Sequence, residues 1–273
     1  METQSNGSLV LCIGGIPVLI LSESYEFMAQ TEKRYANFIT TDVAPVFKIQ
    51  VNILSERTVT DLATYVEKPE VTFVNGREHG TFAWQGLSGE FDFAMREARL
   101  SCSLTPAGLN SFLRFIFSVI LLKEQGFLVH ASGLIKNGKG YIFPGKSGAG
   151  KTTITQLSQD ATLLSDDLPL VKIGDTPVIF GTPFWGGLAV AGEKTSAPLA
   201  GIYFPIKDKE NYVERLTPKK TFEKLLPNAV FFFKNEEFSK QLFKLCFDFA
   251  TNVAGYDLHF LPDPSFWECI DVR

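Results

Sequence analysis

The sequence predicts an α/β fold in two parts. Residues 1–105 read as a β-rich N-terminal domain, and residues 106–273 as a domain in which strands alternate with helices around a mixed sheet. Three observations lead there. Up to Leu104 apolar residues recur with period two, as in Phe47-Lys48-Ile49-Gln50-Val51-Asn52-Ile53, the pattern of a half-buried strand. From Thr105 the period lengthens: Leu109, Phe112, Ile116, Val119 and Ile120 follow a helical spacing. Further on, Asn137-Gly138 lies between two apolar runs and leads into a glycine-rich loop. An antiparallel hairpin at that point makes the sheet mixed, not all-parallel.

The first part holds elements but no catalytic pattern. Leu9–Ile13 and Val18–Leu21 flank a Gly14-Gly15 turn. This run does not read as a secretory leader, because Met1–Ser8 carry no Lys or Arg and Gly14, Gly15 and Pro17 interrupt it. The strand at 47–53 follows. Val71–Val74 precedes an Asn75-Gly76 turn signal, Gly89–Met95 alternates again, and Arg99–Leu104 is one more strand. A scaffold or a substrate-docking domain is the expectation for residues 1–105. Pro106 then opens a helix that is apolar on most faces and should be buried, bridging the two halves. Its run Leu109–Leu122 is too short to span a bilayer and contains Arg114.

Composition narrows the class. Hydrophobic residues make up 45% of 273, charged residues 21%, and Phe occurs 25 times, which marks a folded globular chain. The net charge of −4 offers no basic excess for nucleic acid. The four cysteines, Cys12, Cys102, Cys246 and Cys269, have no metal-ligand spacing and read as small apolar side chains in a reducing compartment. A cytoplasmic protein without membrane contact is expected.

The second part carries the chemistry. Phe127–Ile135 and Gly140–Pro144 read as strands joined by the Asn137-Gly138 turn. Counting outward pairs Lys136 with Lys139, Ile135 with Gly140, Ser132 with Phe143 and His130 with Gly145. The register thus delivers His130 to the mouth of the next segment, Gly145-Lys146-Ser147-Gly148-Ala149-Gly150-Lys151-Thr152-Thr153. Two glycines separated by four residues and followed by Lys and Thr form the phosphate-loop pattern. Glycine reaches positive φ without strain, so successive N–H groups can turn toward phosphate oxygens. Lys151, expected to face solvent without ligand, would reach the outer phosphates, and the Thr152 hydroxyl would ligate Mg²⁺. A helix over Thr152–Ser158, with Ile154 and Leu157 inward, would aim its N-terminus at the same anion.

Thr162–Ser165 is a short strand ending in Asp166-Asp167. Neighbouring side chains on extended backbone point to opposite sides, so the two carboxylates should divide their work. One can face metal and the other an incoming hydroxyl; a solvated turn is the plainer alternative. Pro177–Phe180 leads into Gly181–Gly187, a loop whose Phe184 and Trp185 could cover an acceptor. Leu199–Ile206 reads as a strand. A helix runs from Thr217, its N-cap, and Pro218 to Leu226; another covers Phe238–Ala250. Tyr256–Leu261 is the last strand, and Pro264–Ile270 a closing turn or helix.

Leu128-Val129-His130-Ala131-Ser132-Gly133, the Asn-Gly hairpin, the phosphate loop and Leu164-Ser165-Asp166-Asp167 together resemble the HPr serine kinase family, whose nucleotide fold is shared with phosphoenolpyruvate carboxykinase. The likeness covers about residues 126–171, and the stretch from Gly181 to Leu216-Thr217-Pro218 looks like divergent members. It implies that His130 assists at the phosphates. It implies that Asp166 acts as base toward a serine hydroxyl and that Asp167 and Thr152 hold Mg²⁺. The Leu-Glu-Ile-Arg-Gly stretch of the bifunctional enzymes is absent, so phosphorylase activity, a hexamer and HPr as substrate do not carry over. The expected activity is ATP- and Mg²⁺-dependent phosphoryl transfer to a serine or threonine hydroxyl of a small protein or peptide. A small-molecule kinase acting on an amino acid and a non-catalytic nucleotide-binding partner module are the alternatives. Oligomeric state, a homo-oligomer included, is left open.

Overall fold

The computed structural model describes residues 7–55, 69–74, 78–232 and 235–271. The protein is α/β with two mixed sheets. Its described residues fall into two compact units, one within 1–120 with 231–236, the other within 121–230 and 237–273.

In the first unit β1 (Gly7–Ile13) and β2 (Ile16–Ser22) form the hairpin expected at Gly14-Gly15, whose φ angles are 59° and 77°. Next comes a helix that strand periodicity did not reveal, α1 (Tyr25–Tyr35). Its signal was Ser24, an N-cap whose hydroxyl accepts the Phe27 N–H at 3.3 Å. The strands β3 (Ile39–Thr40), β4 (Phe47–Ile53), β5 (Glu70–Phe73), β6 (His79–Trp84), β7 (Leu87–Asp92) and β8 (Glu97–Cys102) complete a sheet ordered β3-β1-β2-β4-β8-β7-β6-β5. The β2–β4 and β4–β8 pairs are parallel, the rest antiparallel. As its alternation predicts, β4 buries Phe47, Ile49 and Val51 and exposes Lys48 and Asn52. The strand expected to reach Met95 stops at Asp92, whose carboxylate accepts the Met95 N–H at 2.8 Å and turns the chain. The Asn75-Gly76 turn lies outside the described residues. The helix α2 (Ala107–Lys123) follows Pro106, and its Phe112 and Phe115 pack on Phe82 and Phe91 with ring centroids 5.3 and 5.0 Å apart.

The second unit contains β9 (Gly126–Leu128), β10 (Ala131–Lys136), β11 (Lys139–Pro144), α3 (Lys151–Leu157), β12 (Thr162–Ser165), β13 (Leu170–Lys172), β14 (Val178–Phe180), β15 (Ser196–Lys207), β16 (Tyr212–Arg215), α4 (Pro218–Leu225), α5 (Glu236–Asn252, mostly in this unit), β17 (Gly255–Phe260) and α6 (Phe266–Asp271). The sheet runs β12-β10-β11-β15-β14-β13-β9, and β17 joins β15 to β16. Among the described strand pairs of this sheet, β11–β15 and β15–β17 are the parallel ones. The hairpin has the counted register, Lys136 opposite Lys139, Ile135 opposite Gly140 and Ser132 opposite Phe143. Asn137 and Gly138 take φ of 51° and 73°, the left-handed pair that a two-residue turn needs.

Two strand expectations are corrected. Phe127–Ile135 is not one strand: β9 pairs β13, and β10 pairs β11 and β12. The break falls at Val129-His130, whose N–H groups donate to Pro169 O and Asn228 O, at 3.1 and 2.7 Å. Conversely, β15 extends past both predicted ends. It pairs β14 at Ser196–Pro198, β11 at Leu199–Ile202 and β17 at Ile202–Lys207, so its length is set by successive partners. Thr217 caps α4 as expected, accepting the Lys220 N–H at 3.3 Å. Behind the parallel strands lies a core of Phe143, Ile154, Leu258, Phe260, Phe266 and Trp267. Among the described residues no helix is long and apolar enough to cross a membrane. The cysteines are unpaired, and burial pushes the Cys102 and Cys246 thiols up to about 12.

Candidate functional site

At the carboxyl end of β11 the chain enters the Gly145–Thr153 loop. Its first residue is tied to the strand break, since Gly145 N–H donates to His130 O at 3.3 Å. Gly148 and Gly150 adopt φ of 82° and 107°. At Gly150, the N-cap of α3, a Cβ would come within 2.6 Å of the Phe260 ring, so both dihedral and space demand glycine. The helix itself is short, seven residues from Lys151, and is anchored from below. Ile154 is buried in the core, and the Thr155 hydroxyl meets that of Ser132 on β10 at 2.6 Å.

Lys151 differs from its expectation. It is buried, 9% exposed, and its Nζ donates to Gly145 O at 2.6 Å and to Lys146 O at 3.2 Å. The ammonium thus ties two of the loop's own carbonyls together, which makes it a strut of the loop. Burial holds its pKa below the ordinary lysine value, against the opposing pull of the Asp167 and Asp166 carboxylates. Thr152, by contrast, is exposed.

The aspartates follow β12, where the strand has ended, and they do diverge. Asp166 is 4% exposed and accepts the Gly186 N–H at Oδ1 (2.8 Å) and the Leu188 N–H at Oδ2 (2.9 Å). Asp167 faces His130, Oδ1 to Nε2 at 3.2 Å. The bend between them is stapled by the buried Ser165 hydroxyl. It accepts the Asp167 and Leu168 N–H groups and donates to Phe184 O at 2.8 Å.

These pieces enclose one cleft of about 320 Å³, lined by His130, by Ser147, Gly148 and Gly150–Thr153 of the loop, by Asp166 and Asp167, and by Gly186, Gly187 and Lys207. His130, Lys151, Thr152, Asp166 and Asp167 are therefore brought together from three separate stretches of sequence. Two contributions were missed. Lys207 lines the cleft because β15 runs on through it; the only sequence signal was a lysine ending an apolar strand. The Gly186–Leu188 amides hold Asp166, which the Gly-Gly pair hinted at without a direction. One expectation is withdrawn. Phe184 is fully buried and its carbonyl serves Ser165, so it belongs to the core and cannot cover an acceptor.

The cleft offers anion-binding and proton-accepting groups side by side: a lysine, loop amides, a carboxylate held by two N–H groups, and a His–carboxylate pair. Among the described residues no three His, Cys, Asp or Glu side chains are grouped to hold a metal ion alone. Thr152 and Asp167 supply a hydroxyl and a carboxylate oxygen, the donors that suit Mg²⁺. That ion takes few protein ligands and fills its remaining positions with water and phosphate. No protein-family model matches this chain, and no curated protein matches it in sequence.

Proposed function

We propose that the protein is an ATP- and Mg²⁺-dependent kinase of the HPr kinase/phosphoenolpyruvate carboxykinase type. It would transfer the γ-phosphoryl group to a serine or threonine hydroxyl of a small protein or peptide. One observation carries this reading: His130, Lys151, Thr152, Asp166 and Asp167 line a single cleft at the mouth of the Gly145–Thr153 loop. Phosphoryl transfer asks for charge neutralisation, in-line placement and an oriented nucleophile, with little covalent help from the enzyme.

The contacts support the following roles. Of the Gly145–Thr153 loop, Ser147, Gly148, Gly150, Lys151, Thr152 and Thr153 line the cleft and would bind the phosphates. The Lys151 ammonium leaves the carbonyls of Gly145 and Lys146 for phosphate oxygens, a short move within one loop. Thr152 and Asp167 would hold Mg²⁺, which when bound neutralises charge on the β- and γ-phosphates. Asp166 keeps an acceptor lone pair on each oxygen beyond the N–H that oxygen already accepts. It takes the hydroxyl proton as the hydroxyl oxygen bonds to the γ-phosphorus. The bond from that phosphorus to the bridging oxygen breaks, and its electron pair leaves with ADP. His130 orients Asp167 through their 3.2 Å contact. The same contact favours a second assignment, in which the His130–Asp167 pair takes the proton and Asp166 holds the Gly186–Leu188 segment.

Calorimetry and mass spectrometry test this reading. The parent chain should bind ATP with Mg²⁺, and Lys151→Ala should lose binding severely. Incubation with candidate peptides should add one phosphate to a serine or threonine. Asp166→Asn should lower turnover about 10²–10⁴-fold with nucleotide still bound. If Asp167→Asn, not Asp166→Asn, shows that pattern, the second assignment replaces the first. Equal nucleotide binding by parent and Lys151→Ala, or no transfer to any hydroxyl offered, would overturn the kinase reading.

A further inference from the structure

Among the described residues, Lys151, Asp166, Asp167 and Lys207 are the charged side chains that line the cleft, and the first three are already engaged. Lys151 braces the loop, Asp166 accepts two N–H groups and Asp167 faces His130. Lys207 is different. Its side chain is exposed, and its ammonium makes no hydrogen bond or ion pair with any described residue.

The strands place this ammonium at the loop. β11 and β15 run parallel, and their register brings Pro205 level with the start of the loop: a Cβ on Gly145 would lie 4.0 Å from Pro205 Cδ. Lys207, two residues on, projects from the same face of β15. On that face it pairs with Phe260 of β17, whose ring closes on Gly150 near the other end of the loop.

The neighbouring carboxylate is kept away from it. Asp208 N–H donates to Phe260 O at 3.2 Å, which fixes the strand end. The Asp208 carboxylate accepts the Lys209 N–H at 2.6 Å and meets His259 Nδ1 at 2.7 Å. His259 precedes Phe260 on β17 and so lies on the opposite face of the sheet. Asp208 is thus held there and does not line the cleft.

Sheet order tells which part of a nucleotide Lys207 meets. In the order β12-β10-β11-β15, the strands β12, β11 and β15 run the same way. Asp166-Asp167, the loop and Lys207 therefore follow one another across one end of the sheet, with the loop in the middle. In-line transfer sets nucleophile and leaving group on opposite sides of the phosphorus. With the proton-accepting carboxylates on one flank of the loop, the leaving diphosphate lies toward the other. Charge points the same way. Without Lys207 the cleft would set one lysine against two carboxylates, a poor host for a polyanion.

We propose that Lys207 is the leaving-group residue of the transfer, its ammonium donating to an oxygen of the β-phosphate. As the bond from the γ-phosphorus to the bridging oxygen breaks, the electron pair stays on that oxygen. The negative charge thereby added to ADP develops beside Lys207. This role rests on the phosphoryl-transfer reading, and nucleotide binding tells the two apart.

The test is calorimetric titration of the full chain with ADP and, by displacement, with AMP, which lacks the β-phosphate, both with Mg²⁺. Lys207→Ala should weaken ADP about tenfold or more and leave AMP unchanged. Lys207→Arg should keep most of the ADP affinity, since the charge is retained. The unfolding midpoint should not move, because the side chain is exposed and unpartnered. Transfer from ATP should slow by a larger factor in Lys207→Ala than ATP affinity falls, because the charge is fully developed only as the bond breaks. Equal ADP affinity in parent and Lys207→Ala, or an equal loss for ADP and AMP, would overturn this role and leave the kinase reading standing. No binding of ADP or ATP by the parent would overturn both.

Discussion

Lys151 has two roles in one loop, and pH separates them. Its ammonium braces the Gly145 and Lys146 carbonyls, and burial lowers its pKa from 10.5. Between the lowered folded value and 10.5 the unfolded chain binds more protons than the folded one, so this residue's contribution makes stability rise with pH in that alkaline window. Nucleotide affinity should move the opposite way. It should fall as pH rises through the lowered value, because the neutral amine no longer attracts phosphate. Calorimetric titrations from neutral pH upward should show the decline in the parent, whereas Lys151→Arg should hold its affinity to higher pH. Asp166 likewise serves structure and chemistry together. Asp166→Ala would orphan the Gly186 and Leu188 N–H groups, at about 1–3 kcal/mol for each that stays buried. Denaturant unfolding should place Asp166→Ala clearly below Asp166→Asn, which retains one acceptor oxygen.

At the scale of elements, the site depends on where strands stop. β12 ends at Ser165, and the chain between Gly181 and Glu193 returns along its free edge. Thr182 N–H donates to Leu164 O and Glu193 N–H to Leu163 O, each at 2.9 Å. The approach is tight: a Cβ on Gly192 would meet Leu164 O at 1.7 Å, a backbone atom that cannot step aside. By contrast a Cβ on Gly138, in the hairpin turn, meets nothing within 4 Å. Gly138→Ala should therefore cost only the dihedral penalty, roughly 1–2 kcal/mol. Gly192→Ala should cost more, and should also free the Gly186–Leu188 segment that holds Asp166. Unfolding midpoints of the two variants, with hydrogen exchange at residues 181–193, check both parts.

For the whole molecule, ligand linkage gives a prediction. If the cleft binds ATP with Mg²⁺ and the unfolded chain does not, nucleotide at a hundred times its Kd should stabilise the second unit by about 2.7 kcal/mol. That gain should vanish in Lys151→Ala. Protection from exchange should gather at the segments that line the cleft: around His130, the Gly145–Thr153 loop, Asp166-Asp167, Gly186-Gly187 and Lys207. Protection confined to the loop alone would mean that the aspartates and His130 do not share the ligand.

Local physics was readable from the sequence: the alternation of β4, the apolar faces of α2, the Thr217-Pro218 start of α4 and above all the Asn137-Gly138 turn. That turn fixes a register by dihedral preference alone, and counting from it places His130 beside Gly145, where the Gly145 N–H donates to His130 O. It also made the Gly145–Thr153 loop legible as one object, because its parts are contiguous. Tertiary structure decided whatever depends on partners distant in sequence. Asn228 and Pro169 break the strand at Val129-His130, and three successive neighbours set the length of β15. The Gly186 and Leu188 amides turn Asp166 one way while His130 meets Asp167 the other. Phe184 was drawn into the core and Lys207 carried to the cleft for the same reason. Periodicity and turn propensity are written in neighbouring residues, whereas the direction a side chain takes is set by the hydrogen bonds and packing of segments that meet only in the fold.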